Sequence, residues 1–142
     1  SGLTRAGARR ILLTLQALGY VHSDGKHYRL TPRILELGFS YLTSLPIWNL
    51  AEPVMERLAD AVGESCSAAV LDGTDIVYVL RVHTHKIMAI NLNVGTRLPA
   101  WCTSLGRVLL AGLDDAEVKA RLKASDIRAN TRHTATDMGE LL

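Results

Sequence analysis

Three arginines fall where a helix would present them together. Arg5, Arg9 and Arg10 lie in a stretch that opens at Thr4 and closes at Gly19. A guanidinium pairs with phosphate, or as a planar fork with the edge of a guanine. At about 100° per residue, Ala8, Ile11, Leu12, Leu15 and Leu18 gather on one side. Arg9 and Arg10 flank the opposite side, with Ala6, Leu13 and Ala17 between them, and Arg5 sits near the edge one turn before Arg9. Such a helix buries one face and offers cations and small side chains on the other, which suits entry into a DNA major groove. Leu13 is the misfit on the polar side. The wider charge distribution agrees. Residues 1–33 hold six basic side chains (Lys26, Arg29 and Arg33 are the others) and one acid, Asp24, whereas the remainder holds ten basic and thirteen acidic. A basic segment on a mildly acidic body points to polyanion contact by the first part and a separate task for the rest. Ordinary solvated charge is the competing reading.

A second chemical corner precedes a helical run. Thr103, Ser104 and the free N–H groups of the first turn can receive an anion, with Leu98, Trp101 and Leu105 as apolar walls. A small carboxylate with an apolar or aromatic body fits it. A plain capped helix is the alternative. Other candidates are thin. Cys66 and Cys102 stand alone, without metal-ligand spacing, and are expected to be reduced thiols of a cytoplasmic protein. His83 and His85 flank Thr84 and on a strand would share a face, but two histidines are too few for a structural zinc site, and a polar loop is the better reading. No glycine-rich phosphate loop, paired catalytic carboxylates or cofactor motif is read. The expectation is therefore no enzyme, no catalytic residue, no metal and no cofactor.

The elements that must position these residues read as follows. Thr4 is the N-cap of the first helix and Gly19 the position past its end. Asp24-Gly25 predicts a two-residue type I′ hairpin, pairing Ser23 with Lys26, His22 with His27 and Val21 with Tyr28, its tip polar and basic. An arginine-faced helix followed by such a hairpin looks like the recognition helix and wing of a winged helix-turn-helix. Thr31-Pro32 then opens a helix, Thr as cap and Pro at the first helical position. Ile34, Leu35, Leu37, Phe39, Tyr41, Leu42 and Leu45 give it a broad apolar surface, to be buried either against a second copy or against the same chain. A helix from Trp48 to Val62 places Leu50, Val54, Leu58 and Ala61 on one side, tolerates Pro53 only near its start and ends at Gly63. Ser65–Leu71 and Ile76–Val82 are strands about the Asp72–Asp75 hairpin, and Ile87–Leu92 is a third. Thr96–Thr103 is expected as a loop after a turn at Asn93–Gly95. Ser104–Leu113 is helical, and Asp114 caps a helix to Ala124 with Glu117 completing a capping box. Antiparallel strands mixed with helices make an α+β fold. With 48% hydrophobic residues the chain can bury a core. No apolar run approaches the length of a membrane span and no signal peptide is read, so no membrane partner is expected. The opening at Ser1-Gly2-Leu3 reads as the turn inside a helix-turn-helix, and the element starting at Met138 has no terminator, which together read as a piece cut at both ends.

These stretches resemble IclR-type transcriptional regulators. The resemblance runs through Gly2–Arg5, Arg10–Leu12, Leu18–Tyr20, Tyr28–Leu30 and Leu35–Gly38. It continues at Gly63–Cys66, Ile76–Val79, Gly95–Pro99 and Gly106–Ala111. Gly38–Leu42 and Leu45–Trp48 are most similar to the branch that controls aromatic-acid and β-ketoadipate catabolism. The resemblance implies an incomplete winged helix-turn-helix over 1–31, a linker helix over 32–46 and a truncated GAF-like effector domain over 47–142. It implies double-stranded operator DNA and a small organic acid effector, probed by a homodimer or tetramer. Carried over by position, Thr4, Arg5, Arg9 and Arg10, with Lys26 on the wing, meet DNA. Ile87, Met88, Trp101, Thr103, Ser104 and Leu105 meet the effector. Trp101 departs from the family, where many members have histidine. The alternative function is a small-molecule-binding or oligomerisation module without DNA readout.

Overall fold

The computed structural model describes residues 2–84 and 92–142. They form two compact units, residues 1–48 and 49–142.

In the first unit α1 spans Arg5–Ala17. The Thr4 hydroxyl accepts from the Gly7 N–H at 3.1 Å and so satisfies a free donor of the first turn. Gly19 ends the helix at φ +79°, a left-handed conformation that costs glycine nothing. Ala8, Leu12 and Leu15 are half-buried, whereas Ile11 and Leu18 stay about half exposed. β1 (Val21–Ser23) and β2 (Tyr28–Leu30) form the expected hairpin, but in another register: Val21 pairs with Leu30, His22 with Arg29 and Ser23 with Tyr28. The loop is four residues, not two. Asp24 is the reason. Its Oδ1 accepts from the Lys26 and His27 amides at 2.9 and 2.7 Å, drawing both into the turn. A type I′ turn would also need Asp24 at positive φ, and only Gly25 adopts it there. The slip is two residues, so each side chain keeps its face.

Thr31 does not cap the next helix. Its hydroxyl donates to the Gly19 carbonyl at 2.6 Å, and α2 runs from Ile34 to Ser44 without a side-chain cap. Arg33 closes the end of α1 instead: Nη1 donates to the Leu18 carbonyl at 2.7 Å, and the guanidinium lies 5.3 Å from the centre of the Tyr20 ring. Leu35, Leu37, Phe39 and Tyr41 on α2, and Leu45 just past its end, are exposed.

α3 spans Ile47–Val62 and continues through Pro53, whose missing N–H lies well inside the helix rather than near its start. Its buried residues are Met55 and Ala59; Leu50, Val54 and Leu58, expected to face inward, are half exposed or more. The helix carries two apolar stripes, and the one with the small Ala59 is covered. Gly63 (φ +66°) ends it, donating to the Ala59 carbonyl.

The second unit is built on an antiparallel sheet in the order β3-β4-β5: Cys66–Asp72, Asp75–Val82 and Arg97–Pro99. Asp72 pairs with Asp75 across a two-residue turn that places Gly73 at φ +64°, with a register shift at Ala68/Ala69. Of the expected third strand, Ile87–Leu92, residues 87–91 lie outside the described residues, and Leu92 packs against the core without strand pairing. The expected loop Thr96–Thr103 is instead β5 followed by a 3-10 turn, Ala100–Cys102. Arg97 fastens β5 to the hairpin through ion pairs with Asp72 at 2.5 Å and Asp75 at 3.3 Å. The hydrogen bond to Asp72 raises its pKa above the ordinary arginine value.

α4 covers Ser104–Leu110, shorter than expected, and α5 Asp115–Ala124. Asp114 caps α5 by accepting from the Glu117 amide at 2.8 Å, but the Glu117 carboxylate turns to Arg121, so the reciprocal half of the capping box is not made. α6, Met138–Leu141, is capped by Asp137. Ile76, Tyr78, Ala100, Trp101, Leu110 and Leu122 form the core, at 7% exposure or less. Burying each such large side chain contributes about 1.5–3 kcal/mol. No helix among the described residues is long and apolar enough to cross a membrane.

Candidate DNA-contact face and acid site

On α1 the side chains of Arg5, Arg9 and Arg10 are exposed, and none carries an ion pair among the described residues. Thr4 spends its acceptor on the N-cap. Lys26 sits exposed in the β1–β2 loop, its amide held by Asp24. Asp24 itself is an anion within this basic surface. The amides of His27 first, then Lys26, hold its pKa below the ordinary 3.8. Arg29 lies 4.0 Å from it. The basic set thus divides: three arginines stand free on α1, while Arg29 and Arg33 engage groups of their own unit.

In the second unit the chain from Pro99 to Arg107 makes a tight corner. The Thr103 hydroxyl donates to the Pro99 carbonyl at 3.0 Å and accepts from the Gly106 N–H at 3.2 Å. Gly106 is buried with the Ala100 backbone against it, and a Cβ there would lie 2.6 Å from the Ala100 carbonyl carbon. Trp101 is buried at 2% exposure, and its indole Nε1 has no hydrogen-bond partner among the described residues. Leu105 is half-buried against the core. Ser104 is exposed and opens on a cavity of about 510 Å³, which it shares with Cys102, Arg107, Asn130, Thr131, His133 and Thr134. Arg107 Nε donates to the Trp101 carbonyl at 3.3 Å. The Asn130 amide lies 3.8 Å from Cys102 Sγ, and His133 Nε2 accepts from Arg132 at 2.9 Å.

The structure therefore brings Thr103, Ser104 and Leu105 together and puts Trp101 beneath them in the core. Ile87 and Met88 lie outside the described residues, as does His85. Cys66 and Cys102 are free thiols, and no group of three metal-ligating side chains occurs among the described residues. Sequence reasoning passed over Arg107, Asn130 and His133. Arg107 was findable, one helical turn after Thr103. The loop residues were not, because nothing local ties them to α4.

Comparison with known proteins places these units. Residues 39–142 match the family model for the bacterial transcriptional regulator IclR C-terminal region. The Pca regulon regulatory protein of Pseudomonas putida is 43% identical over 136 residues, covering 95% of this chain and 47% of that protein. A solved structure from Rhodococcus sp. RHA1, described as that of a transcriptional regulator, is 54% identical with a TM-score of 0.75. It covers 98% of this chain and 55% of that one. An IclR homolog from Microbacterium hydrocarbonoxydans, solved with 4-hydroxybenzoate, is 27% identical with a TM-score of 0.74. It covers 98% of this chain and 58% of that one. The chain spans about half the length of the curated relatives it matches.

Proposed function

Because the chain belongs to the IclR family of bacterial transcriptional regulators, we propose that the protein binds operator DNA under the control of a small organic acid, aromatic or dicarboxylic. The observation that carries this reading is the face of α1, where three arginines stand exposed with no carboxylate partner among the described residues. Cations left unpaired on one helix face are arranged for an external polyanion. In this reading residues 1–31 are the recognition helix and wing of a winged helix-turn-helix. Arg5, Arg9 and Arg10 meet bases or phosphates, Thr4 sets the helix start, and Lys26 reaches the backbone from the wing. Residues 32–46 are a linker helix whose exposed Leu35, Phe39 and Leu45 join two copies into a dimer or dimer pair. Residues 47–142 are the effector domain, working in the cytoplasm. Ser104 and Leu105 contact the acid, Trp101 and Thr103 hold that corner in shape, and Ile87 and Met88 are further effector-binding residues.

Support for an aromatic acid comes from the related structure that holds 4-hydroxybenzoate. The test is fluorescence anisotropy of the protein on DNA from upstream of its own gene, across a salt series, with and without 4-hydroxybenzoate, benzoate and succinate. Affinity is expected to fall with salt, log K dropping by about 0.9 per phosphate contact per log unit of salt, and one acid is expected to change operator affinity. Absence of salt-dependent DNA binding, with an acid still bound, would instead favour a ligand-binding or oligomerisation module without DNA readout.

A further inference from the structure

The first-turn amides of α4 are partly used. Thr103 Oγ1 takes the Gly106 N–H and the Thr103 carbonyl takes that of Arg107. A carboxylate near this corner therefore needs a side chain to meet its charge. Arg107 is such a group. Its Nε is engaged by the Trp101 carbonyl, which orients the guanidinium plane. Its two terminal nitrogens have no carboxylate partner among the described residues, whereas Arg97, Arg121 and Arg128 of the same unit each have one. The cavity it shares with Ser104 and Asn130 has no acidic side chain in its lining; Arg107 also borders a second hollow that includes Asp115 and Glu140, and it pairs with neither among the described residues. Around it stand the Ser104 hydroxyl, the Asn130 amide and His133. With Nε2 of His133 accepting from Arg132, the neutral ring carries its proton on Nδ1. Cys102 and Ala135 supply the less polar wall. One cation, no anion and several neutral polar groups match a monoanion better than a phosphate dianion. A volume of about 510 Å³ accommodates a ring, since ligand cavities run about 300–1,000 Å³.

We propose that Arg107 is the residue that holds the effector's carboxylate, its terminal nitrogens meeting the two oxygens, while Ser104, Asn130 and His133 face the ring's polar substituent. This rests on the acid-controlled reading above and assigns a recognition residue within it. The geometry favours an aromatic monocarboxylate over a dicarboxylate, because a second carboxylate would find no second cation lining this cavity.

The test is calorimetry on the protein with 4-hydroxybenzoate, benzoate, succinate and the uncharged 4-hydroxybenzamide. The wild type is expected to bind a benzoate at least tenfold more tightly than the amide or succinate. Arg107→Gln is expected to weaken benzoate binding at least tenfold, and Arg107→Lys to fall between, because ammonium keeps the charge and loses the fork. Circular dichroism checks folding of each variant. If Arg107→Gln is misfolded, the wild-type comparison of acid with amide decides alone. Equal binding of acid and amide, or a folded Arg107→Gln variant with unchanged benzoate affinity, overturns the assignment. If that variant's operator binding still responds to the acid, the regulator reading survives. A wild type that binds none of the four at millimolar concentration overturns the assignment as well, and if it also fails to bind operator DNA the regulator reading falls too.

Discussion

Gly106→Ala is the sharpest test of how the effector unit is assembled. The new Cβ would stand 2.6 Å from the Ala100 carbonyl carbon, and closer still to the carbonyl oxygen and Cα of that residue. Non-bonded carbons rest at about 3.5–4.0 Å, so the overlap is about 1 Å. The obstacle is backbone, not a side chain that can rotate away. That backbone is held in turn, since the Ala100 N–H donates to the Thr74 carbonyl at 3.0 Å and Thr103 ties Pro99 to Gly106. Relief requires α4 to lift off the 3-10 turn, loosening Trp101 and Leu110 at the centre of the core. Overpacking of this kind costs about 1–3 kcal/mol, occasionally more, and a clash with fixed backbone belongs at the upper end. At roughly 4–8 °C per kcal/mol for a unit of this size, Tm should fall by about 10 °C or more. Gly112→Ala is the control: its Cβ meets only the Leu109 carbonyl at an ordinary 3.5 Å, and stability should change by less than about 1 kcal/mol. Urea unfolding followed by tryptophan fluorescence and circular dichroism reads both variants. A Gly106→Ala protein with wild-type midpoint and slope would refute the packing argument.

Replacing both Arg9 and Arg10 by alanine should cost operator affinity about 1–3 kcal/mol for each arginine that reads a base; anisotropy showing wild-type affinity would remove these residues from the interface. Phe39→Ala should weaken self-association by about 3–5 kcal/mol if the exposed ring of α2 is buried between copies, and sedimentation that finds the wild type monomeric at micromolar concentration would end that proposal. Asp24 should titrate below 3.8 in a carbon-detected NMR series. A carboxylate with a depressed folded pKa stabilises the loop above its unfolded value, and the contribution is lost as pH falls through the folded one, so the β1–β2 loop should loosen only in acid; a midpoint at or above 3.8 would contradict the two amide hydrogen bonds.

Local chemistry made part of this molecule legible in its residues. Thr4 and Gly19 bound α1 because a cap needs only the next three residues and a left-handed end needs only a missing Cβ. The β3–β4 hairpin follows from two β-rich runs about Gly73, and the arginine face of α1 follows from helical spacing alone. Where two local options compete, tertiary context decided. Asp24-Gly25 favours a two-residue turn by type, yet the Asp24 carboxylate gathers two amides and lengthens the loop. Thr31 has the chemistry of a cap, but the free carbonyl of Gly19 claims its hydroxyl. α3 carries two apolar stripes of similar strength, and periodicity cannot choose between them; packing covers Met55 and Ala59. The acid cavity lies furthest from sequence. Asn130 stands 28 residues from Cys102, and only the folded chain brings its loop to α4, where the exposed Arg107 borders a polar cavity.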